Sequence, residues 1–306
     1  MIERVCIIGG GVIGSLFAGH LAQVAEVSVL TRRREHADLL NAEGLRITGR
    51  SDLHVRVTAS ANPAALPEFD LGIVATKATG LETAAAAMAG HFPGATIMTA
   101  LNGLGAEEVV RQHGDWPIIS AVTFISGTRH SDAHVEYILD TETWLGPYED
   151  TPFARVQEAA ALVNSSGLHA QALPDLRPAQ WSKLIFNATV NAAAALTGLP
   201  HDPHFAAEAA PTDLGHLIHE LMDEGKAVAA AAGIALHDDP WEMNVLATRR
   251  GSAHRPSMLE DVEAHRPTEI DLITGALVRE AARHGVPVPL HTALYRLVKA
   301  KEQSWS

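Results

Sequence analysis

Cysteine is nearly absent from this chain of 306 residues. The single one, Cys6, sits in an apolar run, so no internal disulfide can form and a reducing, cytoplasmic setting is expected. Basic residues are also short: 23 Lys and Arg face 36 Asp and Glu, for a formal net charge of −13. That balance argues against a nucleic-acid or anionic-membrane surface, although it leaves room for a local basic pocket around an anionic ligand. No apolar run approaches the roughly 20 residues of a membrane span. Metal-ligand spacing is missing too. His201-x-x-His204 and His216-x-x-His219 are weak patterns without the Cys/His/Asp company of a zinc site, so no metal is expected. A GxSxG elbow does not occur, which removes support for a nucleophilic hydrolase. What remains, 47% hydrophobic and 19% charged, is the composition of an ordinary globular protein long enough for two cores.

The first informative stretch opens the chain. Val5-Cys6-Ile7-Ile8 reads as a buried parallel strand and runs straight into Gly9-Gly10-Gly11-Val12-Ile13-Gly14 and an apolar helical pattern. Gly9-x-Gly11-x-x-Gly14 has the spacing of the dinucleotide fingerprint, in which each glycine has a mechanical task. Gly9 makes the tight turn, Gly11 lets backbone approach a pyrophosphate, and Gly14 lets the helix lie close to the strand. The helix opening at Val12 and Ile13 offers N–H groups and a positive dipole end to the phosphates. A second strand, Val27–Leu30, is followed by Thr31-Arg32-Arg33-Arg34 where an NAD-selective fold carries an acid. An arginine there pairs with a 2′-phosphate, so the expected cofactor is NADP(H), with Arg32, nearest the strand end, as its contact. Leu71–Thr76 and Ile97–Leu101 read as further buried strands. They end at Lys77 and at Asn102-Gly103, positions where ligands collect in such folds; Asn102-Gly103 is equally a turn signal. Gly44–Thr58 reads as a hairpin-like insertion. Ile118–Ser126, His134–Leu139 and Thr143–Gly146 read as strands joined by short, antiparallel-type connections, before a helix over Pro152–Ser166 and a last strand over Leu168–Ala172.

From Asp175 strand signals stop. Helical patterns cover Trp181–Leu196, Leu214–Ala232, Met258–His265, Thr268–His284 and Thr292–Gln303. The expected division is therefore a Rossmann-type NADP-binding domain over 1–173 and an all-α substrate-binding and dimerisation domain over 174–306. In the first helix beyond the boundary, Lys183, Asn187 and Asn191 recur every four residues as a narrow polar stripe on an otherwise apolar helix. That stripe is either the wet edge of the helix or a lysine and two carboxamides lining a cleft at the domain junction. Ser257-Met258-Leu259-Glu260 has the form of a capping box, and Thr268-Glu269-Ile270-Asp271 that of an acidic helix start.

Five segments give the chain a resemblance to a known family, the ketopantoate reductases (2-dehydropantoate 2-reductases). They are Ile8–Gly14, Leu101-Asn102-Gly103-Leu104-Gly105, Trp181-Ser182-Lys183-Leu184-Ile185-Phe186-Asn187, Pro256-Ser257-Met258-Leu259-Glu260-Asp261 and Arg266-Pro267-Thr268-Glu269-Ile270-Asp271. The resemblance implies an all-α C-terminal domain of the 6-phosphogluconate dehydrogenase type. It implies Lys183 as the catalytic lysine and Glu269 as the carboxylate that helps bind the substrate hydroxyl. Asn187, Asn191 and Ser257 would contact substrate, Asn102 would lie beside nicotinamide and substrate, Lys77 would be a cofactor-side lysine, and Arg32 would hold the NADPH phosphate. Two departures stand out: Leu101 replaces the usual Gln before the Asn-Gly pair, and Ala75–Gly80 lacks the aromatic residue often found after the lysine.

The implied reaction is NADPH-dependent reduction of 2-dehydropantoate to (R)-pantoate, in the synthesis of pantothenate and coenzyme A. Lys183 would act as general acid on the developing alkoxide. Burial should lower the lysine's pKa and Glu269 should oppose that shift. The competing readings are a reductase of another 2-oxo acid and a sensor that binds NADPH without turnover. The partners expected are a small 2-oxo acid and, through the helical half, a second copy of the chain.

Overall fold

The computed structural model describes residues 2–206, 212–249 and 255–305. The chain divides into two compact units, one of residues up to Leu101 with Ala106–Leu176, the other of Asn102–Gly105 with Arg177 onward.

The first unit is a Rossmann-type α/β assembly. In chain order it runs β1 (Arg4–Ile8), α1 (Val12–Leu21), β2 (Glu26–Leu30), α2 (Arg34–Glu43), β3 (Leu45–Gly49), β4 (Leu53–Val55), β5 (Thr58–Ser60), β6 (Leu71–Val74), α3 (Ala78–Met88) and β7 (Thr96–Thr99). It continues through α4 (Ala106–His113), β8 (Ile118–Thr123), β9 (Ser126–Ser131), β10 (His134–Leu139), β11 (Thr143–Pro147), α5 (Phe153–Ser165) and β12 (Ala170–Ala172). The main sheet has the order β12-β11-β8-β7-β6-β1-β2-β5 and is parallel from β5 to β8, with β11 running antiparallel to β8. Strand order reverses at β1, which makes the carboxyl end of that strand the topological switch point. The register levels Ile8 with Leu30 on one side and with Val74 on the other, and Val74 with Thr99. The segments that follow these strands therefore leave one common edge.

The strands read as continuous apolar runs because both faces are covered: all four residues of β6 and of β7 are buried. Leu16, Phe17 and Leu21 of α1 join Ile7, Ile73 and Met98 in one core. The hairpin-like insertion is present as β3 and β4, and it also recruits β10 and β9 into a second sheet of order β4-β3-β10-β9. The single strand expected over Ile118–Ser126 is two: β8 ends at Thr123, where the Ile125 N–H donates to the Thr123 hydroxyl, and β9 begins at Ser126 in the other sheet.

The second unit is built from helices α6 (Arg177–Thr197), α7 (Asp213–Ala231), α8 (Pro240–Thr248), α9 (Ser257–Glu263), α10 (Thr274–His284) and α11 (Pro289–Gln303). Helix α6 lies at its centre and packs against all five others. Alanines over Ala192–Ala195 are fully buried on it, and Gly225 of α7 approaches Ile185 so closely that a Cβ there would lie 2.6 Å from Cγ2. Small residues thus let α6 be surrounded. Helix α8 carries a start signal that the periodicity hides: Asp239 accepts the Trp241 N–H at 2.8 Å, with Pro240 in the first turn.

Two local expectations are corrected here. The helix expected from Thr268 begins at Thr274, because Thr268–Ile273 forms a compact turn whose Leu272 and Ile273 N–H groups both return to the Glu269 carbonyl. The capping box at Ser257 does not form either. Pro256 occupies the N-cap, Ser257 is the first helical residue, and no side-chain cap bond closes the helix. No described helix is long and apolar enough to cross a membrane.

Candidate active site

In the first unit the glycine loop follows β1. Gly9 adopts φ +107 and its N–H donates to the Leu30 carbonyl at 2.9 Å; a Cβ there would lie 2.8 Å from Thr76 Cγ2. At Gly14 a Cβ would lie 2.0 Å from the Gly9 carbonyl oxygen, so this glycine is demanded by the fold itself. Gly11 differs. It caps α1 in an ordinary extended conformation, and a Cβ there would meet only the Ala75 carbonyl, at 3.9 Å. The protein does not need glycine at that point, so the space above it is available to a ligand. Val12, Ile13 and Gly14 open α1 with N–H groups that have no intrahelical acceptor.

The three arginines after β2 separate by partner. Arg33 pairs with Asp132 and Arg34 with Asp38, whereas Arg32 is exposed and has no acidic partner among the described residues. The Thr31 hydroxyl donates to the Arg33 carbonyl at 2.8 Å, fixing the turn that carries Arg32. Asp132, in the β9–β10 turn, also takes Arg129. His36 completes this corner: Nε2 donates to the Asp132 carbonyl at 2.8 Å, and the ring lies 2.7 Å from where a Gly10 Cβ would stand. Burial, then Arg129 and Arg33, push its pKa down to about 4, so it is a neutral imidazole. Lys77, at the N-cap of α3, follows the carboxyl end of β6. Sequence reading passed over Thr76 beside it, whose Oγ1 is buried without a hydrogen-bond partner among the described residues. The only signal for it is its position at a strand end next to the glycine loop.

In the second unit Lys183, Asn187 and Asn191 lie along one face of α6 and are 9%, 8% and 6% exposed. The stripe is therefore not the helix's wet edge. Burial holds the Lys183 ammonium down at about 8 against an ordinary 10.5, and Glu269 acts in the opposite direction. Neither Asn187 nor Asn191 has a hydrogen-bond partner among the described residues, and their carboxamide tips are not sealed from solvent. Glu269 is buried in the turn before α10 and accepts a hydrogen bond from Asn102 Nδ2 at 3.1 Å. Asn102 reaches it because the Leu104 N–H donates to the Leu272 carbonyl at 3.0 Å, and because Gly103, at φ +94, has no Cβ to collide with that same oxygen. The Ser257 hydroxyl is exposed at the first turn of α9, a helix packed on α6.

The residues expected at the site thus fall into two groups. Gly9, Gly11, Val12, Ile13, Gly14, Arg32 and Lys77 share the carboxyl edge of the first unit's sheet. Asn102, Lys183, Asn187, Asn191, Ser257 and Glu269 belong to the second unit. The first group offers backbone N–H groups and positive charge to a phosphorylated ligand. The second offers a buried amine of lowered pKa, a carboxylate and uncommitted amides, a set suited to proton transfer at a polar carbon–oxygen group.

Residues 5–150 match the family described as Ketopantoate reductase PanE/ApbA, and residues 175–302 match its C-terminal part. A 2-dehydropantoate 2-reductase of Halobacterium salinarum is 28% identical over 306 residues, spanning 98% of this chain and 99% of that one. Among solved structures, a PanE/ApbA family ketopantoate reductase from Ralstonia eutropha aligns with a TM-score of 0.89 at 27% identity, covering 99% of both chains. A D-mandelate dehydrogenase in ternary complex with NADH and anilino(oxo)acetate aligns with a TM-score of 0.87 at 25% identity, again over 99% of both.

Proposed function

This chain belongs to the ketopantoate reductase family, oxidoreductases acting on CH–OH groups, and on that premise we propose that it reduces 2-dehydropantoate to (R)-pantoate with NADPH. When bound, the nicotinamide supplies hydride to the C2 carbonyl. The residues of the first unit fit such a cofactor: Gly11 leaves open space at the start of α1, Thr76 holds out a buried hydroxyl, and Arg32 is the arginine not already neutralised. Gly9 shapes the loop, Val12, Ile13 and Gly14 present N–H groups to the pyrophosphate, and Lys77 adds positive charge at the same edge.

The observation that carries the reading is the buried stripe of α6, a lysine of lowered pKa followed by two amides without hydrogen-bond partners among the described residues. Lys183 places its ammonium against the carbonyl oxygen, stabilises the negative charge that develops there, and gives up the proton. Asn187, Asn191 and Ser257 bind the carboxylate and hydroxyl of the oxo acid with neutral donors. Glu269, held by Asn102, accepts from the substrate hydroxyl and keeps Lys183 charged enough to act as the acid.

A second reading has its own support. The D-mandelate dehydrogenase aligned above is in complex with anilino(oxo)acetate, and Leu101 stands where ketopantoate reductases usually carry Gln. On that reading the same machinery reduces another 2-oxo acid. NADPH and NADH oxidation measured with ketopantoate, 2-oxoisovalerate and larger oxo acids separates the two, since the proposal requires ketopantoate with NADPH to give the highest kcat/KM.

A further inference from the structure

The turn that carries Glu269 is fixed from outside by the last helix of the chain. The Thr268 N–H and the Thr268 hydroxyl both donate to Glu302 Oε1 of α11, each at 2.7 Å. The same hydroxyl accepts the Ile270 N–H at 3.2 Å, so one carboxylate oxygen organises residues on both sides of Glu269. Lys299 Nζ lies 3.0 Å from Glu302 Oε2 and 3.0 Å from Asp271 Oδ2, and the Tyr295 hydroxyl donates to Asp271 Oδ1 at 2.8 Å. Arg279 of α10 donates to the Asp271 carbonyl at 3.1 Å. The two limbs of this network differ in shelter. The Asp271 side chain is 54% exposed, whereas that of Glu302 is 13% exposed and its Thr268 partner is buried. Exposed ion pairs contribute little, while charge-assisted bonds to a sheltered carboxylate are strong. The decisive contact is therefore Glu302 with Thr268.

We propose that Glu302 is a positioning residue for the reduction: through Thr268 it sets where the Glu269 carboxylate stands relative to Asn102 and Lys183. The inference rests on the role given to Glu269 under the proposed function. Helix α11 thus reaches, from 34 residues downstream, the residue immediately before that carboxylate. Glu269 is in turn the group that opposes the loss of charge on Lys183. Displacing Glu269 by about an ångström would remove both the alignment and the electrostatic support, and misplacement on that scale is able to lower turnover about 100-fold.

The test compares Glu302→Ala, Glu302→Gln and Glu269→Gln in the full-length protein, reading kcat, the NADPH Kd and the pH at which kcat/KM for the oxo acid falls. Glu302→Ala should lower kcat about 10- to 100-fold at unchanged NADPH Kd and move the alkaline fall to lower pH, toward its place in Glu269→Gln. Glu302→Gln keeps an acceptor oxygen for Thr268 and should recover most of the activity and most of the shift. Should Glu302→Ala not fold, Thr268→Ala against Thr268→Ser reads the same quantities with the carboxylate left in place. A lowered thermal midpoint with wild-type kcat and a wild-type alkaline limb makes the contact merely structural and overturns the proposal. If Glu269→Gln itself leaves the limb unmoved, the role given to Glu269 is what fails, and the positioning falls with its premise.

Discussion

Asn102 and Glu269, 167 residues apart in sequence, are joined by a hydrogen bond of 3.1 Å between carboxamide and carboxylate. This bond places the carboxylate that acts on Lys183 in the grip of a residue that follows a Rossmann strand. It also ties the pH behaviour of the protein to one buried lysine. With its pKa held at about 8, Lys183 is protonated below that pH and loses its proton above it. The kcat/KM for oxo-acid reduction should be level at neutral pH and fall about tenfold per unit well above the lysine's pKa.

Folding stability should move the other way. The folded pKa of Lys183 lies below the 10.5 of the unfolded chain, so between about 8 and 10.5 the unfolded state binds more protons. Stability contributed by this group therefore rises with pH across that window, by an amount on the order of 3 kcal/mol. Lys183→Met should lack the rise, unfold at higher urea than wild type at neutral pH, and lose about 100-fold or more in kcat with little change in NADPH Kd. Urea melts at two pH values and a single-turnover assay check all three. Near-normal turnover in this variant would remove Lys183 from the role of acid.

Arg32 should decide between the two nicotinamide cofactors, because Arg33 and Arg34 are already paired with Asp132 and Asp38. Arg32→Ala should weaken NADPH about 10- to 100-fold and NADH hardly at all. Equal losses in a fluorescence titration with both cofactors would defeat the 2′-phosphate assignment.

Substitutions at Gly11 and Gly14 should fail for different reasons. Gly11→Ala has room in the fold and should keep the wild-type thermal midpoint while weakening NADPH about tenfold or more, whereas Gly14→Ala drives a methyl onto the Gly9 carbonyl and should lower the midpoint. Thermal melts beside NADPH titrations distinguish them. A destabilised Gly11→Ala would mean that this glycine serves the fold and not a ligand.

Much of this was legible in the sequence where a residue's identity conflicted with its surroundings. Three glycines after an apolar strand, three arginines where an acid is common, and two asparagines inside an apolar helix each announce a task other than packing. What stayed hidden depends on partners far along the chain. Thr268–Asp271 has the residue types of a helix start, and it becomes a turn because Glu302 captures the Thr268 N–H and hydroxyl. Which arginine is uncommitted is settled by Asp132, 99 residues beyond Arg33. Ser257 has the spacing of a capping residue, yet Pro256 occupies the cap and leaves its hydroxyl exposed. Local propensity carries no information about such contacts.

Asn191 should bind substrate and give little to stability, since its carboxamide has no hydrogen-bond partner among the described residues. Asn191→Ala should raise KM for the oxo acid about tenfold while leaving the urea midpoint equal or higher, the reverse of what deleting a satisfied buried amide does. A lowered midpoint with unchanged KM would make Asn191 structural.

The most direct test of the whole account is initial-rate oxidation of NADPH and NADH by purified protein across a panel of 2-oxo acids that includes ketopantoate. Ketopantoate with NADPH should give the highest kcat/KM, with NADH the poorer donor. No oxidation of either cofactor by ketopantoate, or a preference for another oxo acid, would contradict it.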